Sequence, residues 1–226
     1  MKFSFPVTCG CGETFPLNVS GTQFPKDVQC PKCHSPIWLV EPLANIVGMA
    51  ILGRAATEFQ NGDWTLAIAL GAMGIECDMA YLFMKWNRID LMTTRMPTDA
   101  DDEAWENEWR EDARTVAARL DKVAGLLVGQ SLDSFLAQNS ELLKPVHTRS
   151  PGSKSEPSPK KFFIAELFHR RNRIVHFGEI DFPHAEAERG LTVATTLSQI
   201  LSAMDAQRRG DLDAKHAAEM KGPGPE

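Results

Sequence analysis

Four of the five cysteines fall within the first 33 residues, as Cys9-Gly10-Cys11 and Cys30-Pro31-Lys32-Cys33 with 18 residues between the pairs. A segment of about forty residues cannot bury enough apolar surface to hold itself together, and chains of that size usually need a disulfide, a metal or a partner. Paired thiolates on two knuckles fit tetrahedral zinc. The opening Met1-Lys2-Phe3-Ser4-Phe5-Pro6 lacks a signal-peptide core, which points to a cytoplasmic protein. Disulfides are disfavoured in that compartment. A redox Cys-x-x-Cys is weaker too, because no βαβ pattern surrounds it. Residues 1–40 are therefore expected to be a small module around one structural zinc held by Cys9, Cys11, Cys30 and Cys33. Four thiolates complete the tetrahedron, so no catalytic metal is expected.

Phe15-Pro16-Leu17-Asn18-Val19, the turn at Ser20-Gly21, and Pro36-Ile37-Trp38-Leu39-Val40 read as short strands in this module. The arrangement resembles a zinc ribbon. His34 is expected at the surface, or as a substitute ligand should one cysteine face away. Three basic and two acidic residues before Val40 give too little charge for strong DNA binding. Phe3, Phe5, Phe15, Phe24 and Trp38 would either stack bases or form the tiny core. Whether the module binds nucleic acid, binds protein or only packs stays open at this point.

The remainder reads as helix. Pro42 opens a first helix with Leu43, Ile46, Val47, Ala50 and Ile51 at helical spacing, and Asn61-Gly62 ends it. Asp63 suits the N-cap of a second, long helix. Its apolar stripe is Ile68, Ile75, Met79, Leu82, Trp86 and Ile89. A third helix is expected from Asp101, with Trp105, Trp109, Val116, Leu120, Val123 and Leu127 inward. Ser131 caps a short one. Residues 145–159 are rich in Pro, Ser and Gly and read as a flexible loop. A helix from Lys160 carries Phe163, Leu167 and Ile174 and stops at Phe177-Gly178. Pro183 opens the last helix, with Leu191, Ala194, Leu197, Leu201 and Met204 inward. Residues 210–226 read as a disordered tail. Cys77 is a small buried hydrophobe. The fold class is thus mainly α: a helical bundle over 41–209 behind a small β module. No apolar run reaches the length of a membrane span.

Composition, at 43% hydrophobic and 24% charged, is that of a globular chain, and a net charge of −6 gives no global field for nucleic acid. The charge is unevenly spread. Asp99 to Asp112 holds eight acids and one base, a solvated helix face. Lys144 to Arg173 is basic and would form a local phosphate-attracting patch. Within it lies Arg171-Asn172-Arg173-Ile174-Val175-His176. Arg binds phosphate bidentately, and His moves protons near neutrality. Asn172 and His176 share a face at i, i+4. Arg171 and His176 stand about 140° apart on an ideal helix and would flank a groove. The chain has no P-loop, dinucleotide turn, Gly-x-Ser-x-Gly or His-Glu-x-x-His.

The Arg-Asn-x-x-x-His pattern, on the penultimate helix and after a long loop, resembles the signature of HEPN domains, helical bundles found in prokaryotic RNases, toxins and defence proteins. The resemblance implies a homodimer with a composite cleft and metal-independent RNA cleavage through a 2′,3′-cyclic phosphate. His176 would be the general acid/base, and Arg171 would stabilise the phosphorane. Asn172 would hold the phosphate or orient His176. It also implies an acid on an earlier helix, Glu76 first and Asp78 second. Arg170 and Arg173 would be phosphate contacts or plain surface residues. Partners would be RNA and an antitoxin or regulatory protein, with no membrane. The competing readings are a non-catalytic nucleotide- or RNA-binding or scaffold module, and a zinc-ribbon regulator dimerised by the bundle.

Overall fold

The structure, a computed structural model, describes residues 2–9, 11–20, 28–37, 44–111, 114–146 and 157–220. The chain divides into two units, Met1–Pro42 and Leu43–Glu226, each with its own internal contacts. The fold is mainly helical with small N-terminal strands.

In the first unit β1 (Lys2–Thr8) pairs antiparallel with β2 (Thr14–Ser20) in the register Val7 opposite Phe15 and Thr8 opposite Thr14. Two-residue strands β3 (Val28–Gln29) and β4 (Pro36–Ile37) form a second antiparallel pair. The strand expected to continue to Val40 is described only as far as Ile37. Gly21 of the expected Ser20-Gly21 turn, and the side chains of Phe3, Phe5, Phe24 and Trp38, lie outside the described residues. Each sheet turns back at one cysteine pair.

In the second unit α1 (Ala44–Gln60) and α2 (Trp64–Met92) form a helical hairpin. Gly62 closes the turn at φ +85°, a conformation that costs glycine little. Asp63 then caps α2 by accepting from the Leu66 amide at 3.0 Å. The two helices approach closely through small residues. A Cβ on Gly48 would stand 1.9 Å from Asp78 Oδ1, and one on Gly74 would stand 2.7 Å from Leu52 Cγ. This corrects the expected inward face of α1. Val47 and Ala50 face solvent, and Gly48, Ala55 and Glu58 are buried. Gly and Ala carry little hydrophobic signal, so the periodicity of the larger residues misplaced the face. Leu43 and the side chain of Ile46 lie outside the described residues.

The long third helix is also corrected. It is two helices, α3 (Asp99–Glu111) and α4 (Val116–Val128), and the Thr115 hydroxyl caps the second through the Ala118 amide. Gly129, at φ +67°, ends α4. Ser131 caps α5 (Leu132–Gln138), as its sequence suggests, and a 3-10 turn follows at Ser140–Leu143. The middle of the loop expected at 145–159 lies outside the described residues. Pro159, placed in that loop, instead begins α6 (Pro159–Phe163). Next come a π turn at Ile164–Phe168 and α7 (His169–Phe177). Finally α8 (His184–Met220) runs eleven residues past the expected bundle end at Arg209, so Gly210 to Met220 are helix and not tail.

α2 is the spine of the bundle. Ile75, Met79, Leu82 and Trp86 bury against Leu120, Val123 and Leu127 of α4 and Leu197, Leu201 and Met204 of α8. Contrary to the expectation that no apolar run reaches the length of a membrane span, α2 carries an 18-residue window of mean hydropathy 1.5, apolar enough for one by length and composition. In this fold 61% of that window is buried inside the bundle, as in the core helix of a packed domain.

Candidate functional site

The cysteines converge through two related knuckles. In the first, the Cys9 amide donates to the Glu13 carbonyl (2.8 Å) and the Gly12 amide to the Cys9 carbonyl (2.8 Å). In the second, the Cys30 amide donates to Ser35 (3.0 Å) and the His34 amide to Cys30 (3.0 Å). Each knuckle bends at a positive φ just after its second cysteine, Gly12 at +86° and His34 at +56°. The Cys-x-Cys knuckle is therefore the same closure made one residue shorter. Cys9 and Cys33 sulfurs lie 3.6 Å apart, and those of Cys11 and Cys30 lie 3.7 Å apart. All four sulfurs fall within 4.8 Å of one another and could hold a metal ion. The Ser35 hydroxyl and amide pull the Cys33 thiol down to about 6, whereas against the hydrogen bond from the Cys11 amide, burial and its sulfur neighbours push Cys9 up to about 12. His34 is exposed and lies outside the ligand cluster.

The hexapeptide lies on α7. Ile174 anchors it against a small cluster of Ile68, Phe182 and Ala187. Arg171 is three residues before Ile174 and so shares its bundle-facing side. Its Nη2 donates to Glu76 Oε2 on α2 at 3.2 Å, and its Nη1 donates to Asn172 Oδ1 at 3.0 Å. Glu76 Oε1 lies 3.9 Å from Arg119 Nη1 on α4, whose guanidinium sits 5.2 Å from the Trp109 ring. Arg171, Glu76 and Arg119 keep 26%, 20% and 24% of their side chains exposed, so water reaches the group.

His176 sits on the outward side. It is exposed beside Val175, Phe177 and Ile180, which are 58%, 82% and 72% exposed. The Asn172 side-chain oxygen serves Arg171, and the described hydrogen bonds include none to His176. α7 ends at Gly178, φ +66°, whose amide returns to the Ile174 carbonyl at 3.1 Å.

The structure brings Arg171, Asn172 and Glu76 together and leaves Asp78 elsewhere. Asp78 is buried, accepts from the Ser198 hydroxyl at 3.1 Å through Oδ2, and has no hydrogen-bond partner for Oδ1. Desolvation pushes its carboxyl up to about 6. Arg170 meets Glu166 (2.9 Å) and Glu186 (3.3 Å), and Arg173 is bound to Glu179 and lies 5.0 Å from the Phe182 ring. Lys160 is paired with Asp121 at 2.7 Å. These bases are matched partly by near neighbours, Glu166 one turn before Arg170 and Glu179 six residues after Arg173, and partly by Glu186 and Asp121 from other helices. Arg149 and Lys154 lie outside the described residues. Arg119 was missed at the sequence level, since a single base on the margin of an apolar stripe carries no signal.

A cleft of about 590 Å3 opens beside the start of α2, lined in part by Trp64, Thr65, Ile180 and Phe182, and includes none of the hexapeptide. No family model, curated protein or solved structure matches the chain. The fold and sites define a mainly helical protein with a cysteine cluster of metal-binding geometry.

Proposed function

We propose that the chain is a HEPN-type endoribonuclease acting as a homodimer in the cytoplasm, as a toxin or antiviral effector, with a structural zinc in its N-terminal module. The observation that carries the reading is the contact of Arg171 with Glu76. These residues lie 95 positions apart in the sequence, and they meet across α2 and α7. Glu76 and Asn172 hold the Arg171 guanidinium at the rim of α7, where it would face the non-bridging oxygens of a bound phosphate. His176 stands exposed, where an imidazole can take a proton from a ribose 2′-OH. The 2′ oxygen attacks the adjacent phosphorus and the bond to the 5′ oxygen breaks. That oxygen receives a proton, leaving a 2′,3′-cyclic phosphate and a 5′-OH end. The exposed Val175, Phe177 and Ile180 beside His176 give a two-fold partner an apolar face to cover, which would bring two imidazoles into one cleft.

The cysteine geometry supports zinc. A tetrahedron with Zn–S of about 2.3 Å has S–S edges of about 3.8 Å, close to the 3.6 and 3.7 Å found. Cys9, Cys11, Cys30 and Cys33 would fill all four positions, so the ion would tie the strands and take no part in cleavage.

The ion pairs of Arg170 and Arg173 favour a second reading, a non-catalytic dimeric scaffold. Cleavage assays on the full chain separate the two. His176→Ala should abolish cleavage while leaving the fold and RNA affinity nearly unchanged, and Arg171→Ala should weaken both cleavage and binding. A 2′-deoxyribose at the cleaved position should make the substrate inert. Equal cutting by His176→Ala, or of DNA, would overturn the nuclease assignment of this site, and absence of cleavage by the wild type would favour the scaffold reading.

A further inference from the structure

We propose that the cleft between the α1–α2 turn and the α7–α8 connection is a docking site for an arginine side chain of a partner protein, with Asp181 and Asp63 pairing its guanidinium and Trp64 stacking on it. The inference goes beyond the nuclease reading and does not depend on it.

The two walls of the cleft are far apart in sequence. Residues 61–65 form one and residues 180–183 the other, and together they enclose about 590 Å3. The Thr65 hydroxyl joins them by donating to the Ile180 carbonyl at 2.5 Å. Phe182, 3% exposed, packs with Ile68 and Ala187, and Trp64 rests against that cluster. The cleft therefore stands on a small apolar cluster of its own, separate from the main core.

Its charge is one-sided. Asp63 and Asp181 line it, and among the described residues no lysine or arginine does. Asp63 uses Oδ1 to cap α2, and its Oδ2 has no partner among the described residues. Neither oxygen of Asp181 has a partner among them. The N-termini of α2 and α8 begin at this cleft and bring about half a positive charge each, so two carboxylates leave an excess of about one negative charge. His184, which follows Pro183, packs against Phe59 and Trp64 with ring centroids 4.9 and 5.4 Å away and is not a lining residue.

Such a site favours a cation, and its aromatic wall selects among cations. The Phe182 ring already has Arg173 at 5.0 Å, a guanidinium bound to Glu179. Trp64 is the ring left for a ligand. It is half-buried, and His184 meets it at 86°, so a perpendicular neighbour covers at most one face. A guanidinium can lie flat on an indole and present its fork to a carboxylate at the same time, which an ammonium cannot. Asp181, with both oxygens open, suits the bidentate pair. A cleft of this size takes a ligand larger than a single small ion. An arginine within an extended segment fills it, and Ile180, 72% exposed, offers an apolar rim to the residues on either side.

The test uses the full chain and a blocked alanine pentapeptide with arginine at its centre, with binding followed by the indole N–H resonance of Trp64. That signal should shift and saturate. Citrulline in place of the arginine keeps the shape and removes the charge, and should weaken binding on the order of tenfold. Lysine in its place should bind less tightly than arginine. Asp181→Asn should weaken binding by about tenfold, and Asp63→Asn, which preserves the helix cap, by less. Trp64→Leu, followed through the resonances of the peptide, should also cost on the order of tenfold. Glu106→Gln, at an exposed acid paired with Arg110, controls for net charge and should change nothing. Should Trp64→Leu unfold, Asp181→Asn at an exposed side chain carries the test. Equal binding of the citrulline peptide, wild-type affinity in Asp181→Asn, or no shift at millimolar peptide overturns the site. Agmatine binding as tightly as the pentapeptide would give the cleft to a free small cation and overturn the partner-protein assignment.

Discussion

Glu76 on α2 accepts a 3.2 Å hydrogen bond from Arg171 on α7, so the acid and the arginine of the candidate site form one unit across two helices. Glu76→Gln keeps the shape and removes the charge. Both side chains are partly exposed, so the stability cost should stay below about 1 kcal/mol. Cleavage should fall by about tenfold, because an arginine without its anchor is less well aimed. Paired thermal unfolding and single-turnover cleavage would check this. Large loss of stability with normal cleavage would make the pair purely structural.

Asp78 should make stability depend on pH in the direction opposite to ordinary acid denaturation. Its buried carboxyl is pushed up to about 6 from 3.8 in the unfolded chain. Between those values the folded state holds more protons than the unfolded one, so this residue's contribution falls as pH rises from about 4 to 6 and stays low above that. The full span is on the order of 3 kcal/mol. Asp78→Asn should be more stable than wild type at pH 7.5, with the gap closing by about pH 4. Urea unfolding across that range gives the answer, and two parallel stability curves would count against it.

Fresh protein purified without chelator should carry about one zinc per chain. Metal removal, or Cys30→Ala, should disrupt the N-terminal module and leave helical circular dichroism nearly unchanged, because the helical unit has its own core. Cleavage should persist in a chelator too weak to strip the bound ion, because no catalytic metal takes part. Elemental analysis below a third of an ion per chain would refute the zinc assignment.

Asp205 is where the bundle should be most sensitive to a polar change. It accepts from Lys85 Nζ at 3.0 and 3.1 Å, from Trp86 Nε1 at 2.6 Å and from Arg209 Nε at 3.0 Å. Burial alone would raise its pKa, but Arg209, Trp86 and Lys85 together hold it below the usual range. Its contribution is therefore present above the unfolded value near 4 and lost as pH falls through the lower folded one. Asp205→Ala leaves Lys85, 3% exposed, as an unpaired buried charge, a loss of about 3–5 kcal/mol. Chemical denaturation at pH 7 would measure it, and a change under 1 kcal/mol would mean that water or another group satisfies the lysine.

The sequence carried the features whose signal is local. Asp63, Ser131 and Gly178 mark helix ends through backbone chemistry that acts within four residues, and all three hold. The cysteine cluster was legible for the same reason. The buried face of α1 was not, because Gly48 and Ala55 pack by absence of bulk. Nor was the break between α3 and α4, where the apolar period continues while Thr115 restarts the helix. Arg119 against Glu76, Glu186 against Arg170 and Asp121 against Lys160 come from separate elements, and only tertiary packing assembles them.

The π turn before the hexapeptide has its own consequence. The His169 amide reaches back to the Ile164 carbonyl, five residues away, so this stretch holds one residue more than an α-helix of equal rise. Losing a residue between Ile164 and Phe168 lets the ladder close as ordinary helix and leaves Arg171 facing Glu76. Losing one between Arg171 and His176 turns the imidazole by about 100° relative to the guanidinium. The same helix thus has slack on one side of Arg171 and a fixed gauge on the other.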